Sequence, residues 1–308
     1  MSEQATVGFA LVDVFASTPL TGNPAAVVPD ADALSLDQMQ ALAREFNQSK
    51  TVFIVAVDSR FTGDSGSQGG SGLEADWQLR SFTPIGAEVG GAGHNALAAC
   101  LWLVDRELAA DRTEFGVQIG TDLLAVKVTR PDGEPAHVTI AQSAPEFGAT
   151  LDDRAALVDA LGLTTADLSD DTVQVVSTGA GHLMVPLIDR ATVDRVQPDT
   201  RRLAEVLRTV AGEGCYVYSL DTVEGDSAAY ARFFNPTMGI VEDAATGTAA
   251  GPLIAKLVAE GRVARGVSAV VEQGHTLGRP SRILITVDGD AVSISGAGLI
   301  VASGTVLV

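Results

Sequence analysis

The sequence predicts an α+β protein of two similar domains, each a sheet wrapped around one central apolar helix. Three observations lead there. First, a stretch with Arg80, Phe82 and Pro84 at alternate positions, then Gly93 and an apolar run, recurs as Arg232, Phe234, Pro236, Gly247 and a second apolar run. A strand–loop–helix plan repeated in each half of the chain predicts two structural copies. Second, residues 94–104 contain no Asp, Glu, Lys or Arg, so that helix is apolar on every side and has to be buried all round. Third, most of the remaining chain reads as short strands. Strand-rich halves built on one buried helix fit α+β rather than a doubly wound sheet.

Taken in order, residues 9–15 read as a strand. Thr21-Gly22-Asn23-Pro24 is a turn, and residues 25–28 form a second strand. Ser35 and Gln38 fit a capping box, and Leu36, Met39, Ala43 and Phe46 make one apolar helical face that Asn47 closes. Residues 51–57 are a strand, the Gly/Ser-rich residues 59–72 a flexible loop, and residues 77–83 the strand before the first central helix. Strands follow at 114–119, 124–129 and 137–142. The second half adds amphipathic helices at 152–161 and 200–210, with strands at 172–176, 183–187 and 215–220. Residues 228–234 are the strand before a loop carrying Glu242 and Asp243 and a second central helix that Gly261 stops. Four more strands are expected at 269–273, 283–287, 292–295 and 299–308.

Of the 308 residues, 46% are hydrophobic, enough for two cores. Lys and Arg number 20 against 39 Asp and Glu, a net charge of −19. That argues against nucleic acid or an anionic membrane as partner, and leaves room for a small anionic ligand in a locally positive site. Cys100 and Cys215 lie in apolar surroundings without a CxxC pattern, as buried free thiols of a reducing compartment do. No basic region precedes an apolar run at the N-terminus, and no run of 18 apolar residues exists. The expectation is a soluble cytoplasmic protein without a membrane partner.

Gly91, Gly93 and Ala96 match a relaxed dinucleotide fingerprint, but a proline-containing loop separates them from the strand, so nucleotide binding is not expected. His94, His137, His182 and His275 are scattered without ligand spacing, so no metal is expected. No G-x-S-x-G elbow is present. Acid/base work without a cofactor remains. Two helix N-termini, opened by Gly93 and Gly247, suit a carboxylate or a developing enolate. Asp243, His94 and Glu45 supply proton-transfer groups. Glu45 falls in the last turn of its helix, where the dipole disfavours an anion by about 0.3–1 kcal/mol, a placement suited to a group that trades protons. Thr246 and Thr248 are expected to cap the second central helix rather than to contact ligand.

Taken together, these residues resemble the phenazine-biosynthesis PhzF-like family, within the diaminopimelate-epimerase-like fold. The resemblance runs through Val12-Asp13-Val14-Phe15, Gly22-Asn23-Pro24, Glu45-Phe46-Asn47-Gln48-Ser49, Arg80 to Pro84, Gly93-His94, Glu242 to Gly247, Gln273-Gly274 and Gly278 to Ser281. It implies barrel-like domains at residues 1–137 with 298–308 and at 138–297, an active-site cleft between them, and a homodimer. It also implies isomerisation of trans-2,3-dihydro-3-hydroxyanthranilate by a proton shift without metal or organic cofactor. Glu45 matches the family's proton-shuttling glutamate, and His94 and Asp243 its pocket histidine and aspartate. Asn23, Ser49, Gly93, Asn95, Thr246, Gly247 and Thr248 are the implied contacts to a small carboxylate substrate.

The chain departs from the family at Ala92, Asn95 and Ala96 around Gly93-His94, at Lys50 beside Ser49, and at Thr248, where a serine is usual. A non-catalytic binding member of the same fold is the alternative these departures raise. Thiol-based racemases of this fold carry cysteines where this chain has Ala92 and Ala244, so cysteine chemistry is not expected.

Overall fold

The computed structural model describes residues 5–58, 73–91, 93–106, 108–109, 111–133 and 135–308; the expected loop at 59–72 lies outside them. The chain divides into two compact units, Met1–Ala141 with Ser295–Val308, and Gln142–Ile294.

Unit one begins with β1 (Thr6–Val14), β2 (Asn23–Val28), α1 (Leu36–Phe46), β3 (Lys50–Val55) and β4 (Trp77–Phe82). It continues with β5 (Glu88–Val89), α2 (His94–Asp105), β6 (Glu114–Ile119), β7 (Asp122–Thr129) and β8 (His137–Gln142). Unit two holds β9 (Glu146–Thr150), α3 (Arg154–Leu161), β10 (Gln174–Ser177), β11 (Gly181–Pro186), α4 (Arg190–Arg195) and α5 (Thr200–Thr209). After these come β12 (Gly214–Ser219), β13 (Ala229–Asn235), β14 (Ile240–Asp243), α6 (Gly247–Ala259), β15 (Ser268–Gln273) and β16 (Ser281–Asp288). The chain then passes through β17 (Ala291–Gly296) and ends in unit one as β18 (Gly298–Leu307).

The duplication is realised strand by strand. In unit one β2 and β3 pair parallel, β3 and β4 antiparallel, β4 and β6 parallel, β6 and β7 antiparallel. In unit two β11, β12, β13, β15 and β16 repeat that order and sense. Each parallel pair needs a crossover. In unit one α1 and α2 supply them; in unit two α4 with α5, and then α6, do so. β5 hangs on β4 and β14 on β13 as short antiparallel additions just ahead of the central helices. Unit one's sheet is extended by β1, which lies antiparallel between β2 and β18.

Of the twelve residues of α2, ten are buried, as the lack of charge over residues 94–104 requires. Each Leu-sized side chain so placed contributes on the order of 1.5–3 kcal/mol. In α6 the run Ala249 to Leu257 is buried, including Lys256, whose ammonium meets Glu260 and the Thr172 hydroxyl. Alternation sorts the strands of unit two: Cys215 and Val217 of β12 join Leu157, Leu161, Leu203 and Leu207 of α3 and α5 in one apolar cluster. Tyr216, between them, turns to the other face and meets Gln273 of β15.

α1 has the expected capping box, with Ser35 Oγ accepting from the Gln38 N–H and Gln38 Oε1 from the Ser35 N–H. Asn47 closes it in the left-handed conformation, φ 50°. The buried face is Met39, Leu42 and Ala43, with Phe46 packed partly against it. Leu36, expected on that face, is 47% exposed, because the first helical position projects past the strands the rest of the helix covers. Glu242 and Asp243 were expected in a loop; they belong to β14, and β9, five exposed residues without alternation, was not expected at all.

Candidate active site

The two helix-opening loops have equal length. Ser81 pairs with Val89 in the first hairpin and Phe233 with Asp243 in the second, and four positions lead from Val89 to Gly93 and from Asp243 to Gly247. The longer spacing from proline to glycine in the second copy therefore falls in the hairpin turn, where Pro236–Met238 winds a 3-10 turn. Val89 stands in unit one where Asp243 stands in unit two, and His94 where Thr248 stands.

Both hairpins are clamped by an Arg–Glu pair. Arg80 makes two hydrogen bonds of 2.8 Å to Glu88, and Arg232 makes bonds of 2.8 and 2.9 Å to Glu242. Arg232 is the more enclosed. It also donates to the carbonyls of Val193, Asp194 and Val196 at the end of α4, and lies over the Phe234 ring. Cations suit a helix C-terminus, where carbonyls lack partners.

In unit one the structure brings Asn23, Ser49 and His94 together. Ser49 Oγ donates to Asn23 Oδ1 (3.2 Å) and lies 3.0 Å from His94 Nε2. A hydroxyl has one hydrogen; with it given to Asn23, the oxygen accepts from the imidazole, which puts the ring proton on Nε2. Asn23 and His94 are buried and Ser49 half-buried. Glu45 is exposed at the end of α1, four positions ahead of Ser49, and takes no part in this chain of hydrogen bonds. Asn95, expected among the ligand contacts, has its amide committed to the loop: Oδ1 accepts from the Gly93 N–H, and Nδ2 donates to Ser81 Oγ and the Gly91 carbonyl. Among the described residues no side chain caps α2, whose N-cap is Gly93. Ala92 lies outside the described residues.

In unit two Asp243 is 9% exposed, and Thr246 Oγ1 donates to its Oδ2 at 2.7 Å. Thr246 is the N-cap residue of α6, yet its side chain makes no capping bond. The expected cap is corrected because the nearby carboxylate is a stronger acceptor for the hydroxyl than the helix is a partner. Thr248 sits half-buried in the first turn. Pro252 lacks the N–H that would meet the Thr248 carbonyl. The Gly247 carbonyl accepts from Gln142 Nε2, and Gln142 Oε1 from Thr178 Oγ1. A Cβ at Gly251 would overlap Gln142 Oε1, so only glycine lets that amide reach the helix.

Cys100 and Cys215 are buried and unpaired. Burial alone raises both thiols, Cys215 up to about 12, so neither is a nucleophile at neutral pH. Ala244, in the second loop, carries no thiol. Burial, and then the Asp243 charge, hold the Tyr216 hydroxyl well above the usual phenol range, so it stays a donor. Among the described residues no three His, Cys, Asp or Glu side chains gather as a metal site. Sequence reasoning missed Gln142, Thr178, Tyr216 and Gln273. Only Gln273 left a trace, inside the Gln273-Gly274 pair.

Comparison with known proteins identifies the family. The family described as Phenazine biosynthesis-like protein (PhzC-PhzF) matches residues 12–304. A trans-2,3-dihydro-3-hydroxyanthranilate isomerase of Pseudomonas chlororaphis is 33% identical over 310 residues, covering 97% of this chain and 99% of its own. An uncharacterized isomerase of Bacillus subtilis, YfhB, is 32% identical over 297 residues, 95% of each. The crystal structure of a Bacillus anthracis phenazine biosynthesis protein of the PhzF family superposes with TM-score 0.87 at 24% identity, covering 99% of this chain and 100% of that one. A hydroxyproline epimerase from Agrobacterium vitis shares the fold alone, at TM-score 0.63 and 14% identity, covering 100% of this chain and 94% of that one. A family match over residues 12–304, joined to relatives about a third identical along nearly their whole length, is no chance likeness: this chain is an isomerase and belongs to the phenazine biosynthesis-like (PhzF) family.

Proposed function

We propose that this isomerase moves a proton within a small carboxylate-bearing substrate of the trans-2,3-dihydro-3-hydroxyanthranilate type, with no cofactor. The observation that carries the reading is likeness over nearly the full length to a protein named for that reaction, with Glu45, His94 and Asp243 all present. In the proposed reaction the Glu45 carboxylate takes a proton from one carbon of the substrate and returns it to another. The electron pair left behind shifts through the adjoining double bond, so substrate and product are isomers and no electrons leave. Glu45 suits this because it is exposed and outside the hydrogen-bond chain that fixes its neighbours. His94, its proton held on Nε2 by Ser49 and Asn23, orients the substrate and steadies charge that develops on it. Asp243, with Thr246 donating to it, receives a substrate amine. In this reading the N–H groups at the openings of α2 (Gly93) and α6 (Gly247, Thr248) are the kind of donor that a substrate carboxylate requires.

The test is ultraviolet assay of the purified protein with trans-2,3-dihydro-3-hydroxyanthranilate, and the same reaction in D2O. Glu45→Gln should lose at least about a hundredfold in kcat and keep binding, while wild-type product gains solvent deuterium. Full turnover by Glu45→Gln would refute the shuttle. Ligand binding without turnover or deuterium exchange in the wild type would establish the non-catalytic alternative.

A further inference from the structure

Gln273, the last residue of β15, is fully buried, and its side chain makes four hydrogen bonds. Its Oε1 accepts from the Thr246 N–H (3.0 Å) and the Tyr216 hydroxyl (2.9 Å); its Nε2 donates to the Asp243 carbonyl (2.8 Å) and to Thr246 Oγ1 (3.1 Å). A backbone group at each end settles which end is oxygen, because an N–H only donates and a carbonyl only accepts. With an amide hydrogen arriving at Thr246 Oγ1, the hydroxyl's own hydrogen is left for Asp243 Oδ2 at 2.7 Å. A rotor free to turn either way becomes a one-way donor.

The internal duplication shows that the fold does not need this arrangement. Gln273 pairs with Ala231 in β13, the residue before Arg232; in unit one Ile119 pairs with Leu79 in β4, the residue before Arg80. Ile119 thus stands where Gln273 stands, and by the same matching Val52 stands where Tyr216 stands. Unit one ties its loop with Asn95 instead, and Ala249 at the matching place in unit two has no side chain to do so. A fully buried glutamine and tyrosine therefore occupy positions that Ile and Val fill in the sister sheet.

We infer that Gln273, seated on Tyr216, is a positioning residue: acting through Thr246, it holds Asp243 as a fixed hydrogen-bond acceptor. The substrate group that meets Asp243 is then an N–H or O–H donor, such as an amine. This consequence rests on the role proposed above for Asp243.

Two measurements test it. The first needs no turnover: proton exchange of the Thr246 hydroxyl by NMR, in wild type and in Gln273→Ile, which installs the residue found in unit one. The hydroxyl should exchange slowly in the wild type and at least about tenfold faster in the variant, whose folded state thermal unfolding verifies; an equal rate in both would overturn the inference. The second is a double-mutant cycle on kcat and KM for trans-2,3-dihydro-3-hydroxyanthranilate. Gln273→Ile and Thr246→Val should each lower kcat about tenfold or more, the double variant should be no slower than the worse single, and Thr246→Ser should restore most of the rate. Losses that multiply, or a serine variant as slow as the valine one, would mark Gln273 as merely structural. A wild-type enzyme inactive on this substrate would sink the proposed function, and the exchange experiment would still decide the positioning role.

Discussion

His182 of β11 is buried against the edge of Phe233, 4.9 Å between ring centroids, and neither ring nitrogen has a hydrogen-bond partner among the described residues. Burial lowers its pKa from 6.5 to about 4, so it is neutral at pH 7. The unfolded chain takes up a proton near pH 6.5 and the folded one only near pH 4. Between those values the unfolded state binds more protons, so the stability this residue contributes at neutral pH is lost as the pH falls through the window. The loss is on the order of 1–3 kcal/mol. His182→Leu should remove that component: the Tm of the variant should gain on the wild type as the pH is lowered from 6.5 to 4, and parallel curves would refute it. Gly274 presents a backbone problem instead. It has φ +85°, and a Cβ there would overlap the carbonyls of Arg279 and Ala244. Gly274→Ala should cost more than about 1 kcal/mol in denaturant unfolding, because alanine must leave the left-handed region or force the loop after Asp243 outward.

Among the elements, the two Arg–Glu hairpins form a built-in comparison of one motif in two settings. Arg80 and Glu88 have side chains 28% and 44% exposed; Arg232 and Glu242 only 9% and 12%. Water compensates for a lost partner in the first pair and not in the second. Glu242→Gln should destabilise the fold by about 3 kcal/mol, a buried-pair value, and Glu88→Gln by no more than about 1 kcal/mol. Equal losses in urea melts would contradict this. The same two hairpins mark how far the elements were legible. Arg80-x-Phe-x-Pro and its repeat stand out because the spacing of a strand is local, and α2 because a helical run without charge over residues 94–104 can only be interior. What hides is whatever a distant strand decides. Thr246 reads as a cap until Asp243 takes its hydroxyl, and nothing in the sequence around Asn95 says that its amide also donates to Ser81 of the neighbouring strand. Gln273 lies 27 positions from the Thr246 it serves, and only the pairing of β13 with β15 brings them together.

For the molecule as a whole, 39 carboxylates against 20 basic residues leave 19 that no internal ion pair can match. Self-repulsion among them opposes compaction and is screened by salt, since the Debye length shrinks from about 30 Å to about 8 Å between 0.01 M and 0.15 M. Thermal unfolding should therefore shift upward across that range at pH 7. A downward shift would mean that the surface pairs, such as Arg201 with Glu205, outweigh the excess. The duplication at this scale was readable because both copies keep the same strand order, whereas only the resemblance put residues 298–308 in the first domain: nothing local to residues 6–14 says that β18 is one of β1's two partners. That pairing runs from Thr6 opposite Leu307 to Val14 opposite Gly298. During synthesis, β1 has one flank open until residues 298–307, more than 280 positions further on, have been made. Unit one thus reaches its complete form last although most of it is made first, and an exposed strand flank of that duration is an aggregation hazard. A nascent chain stalled before residue 298 should be a chaperone client in a way that the released protein is not.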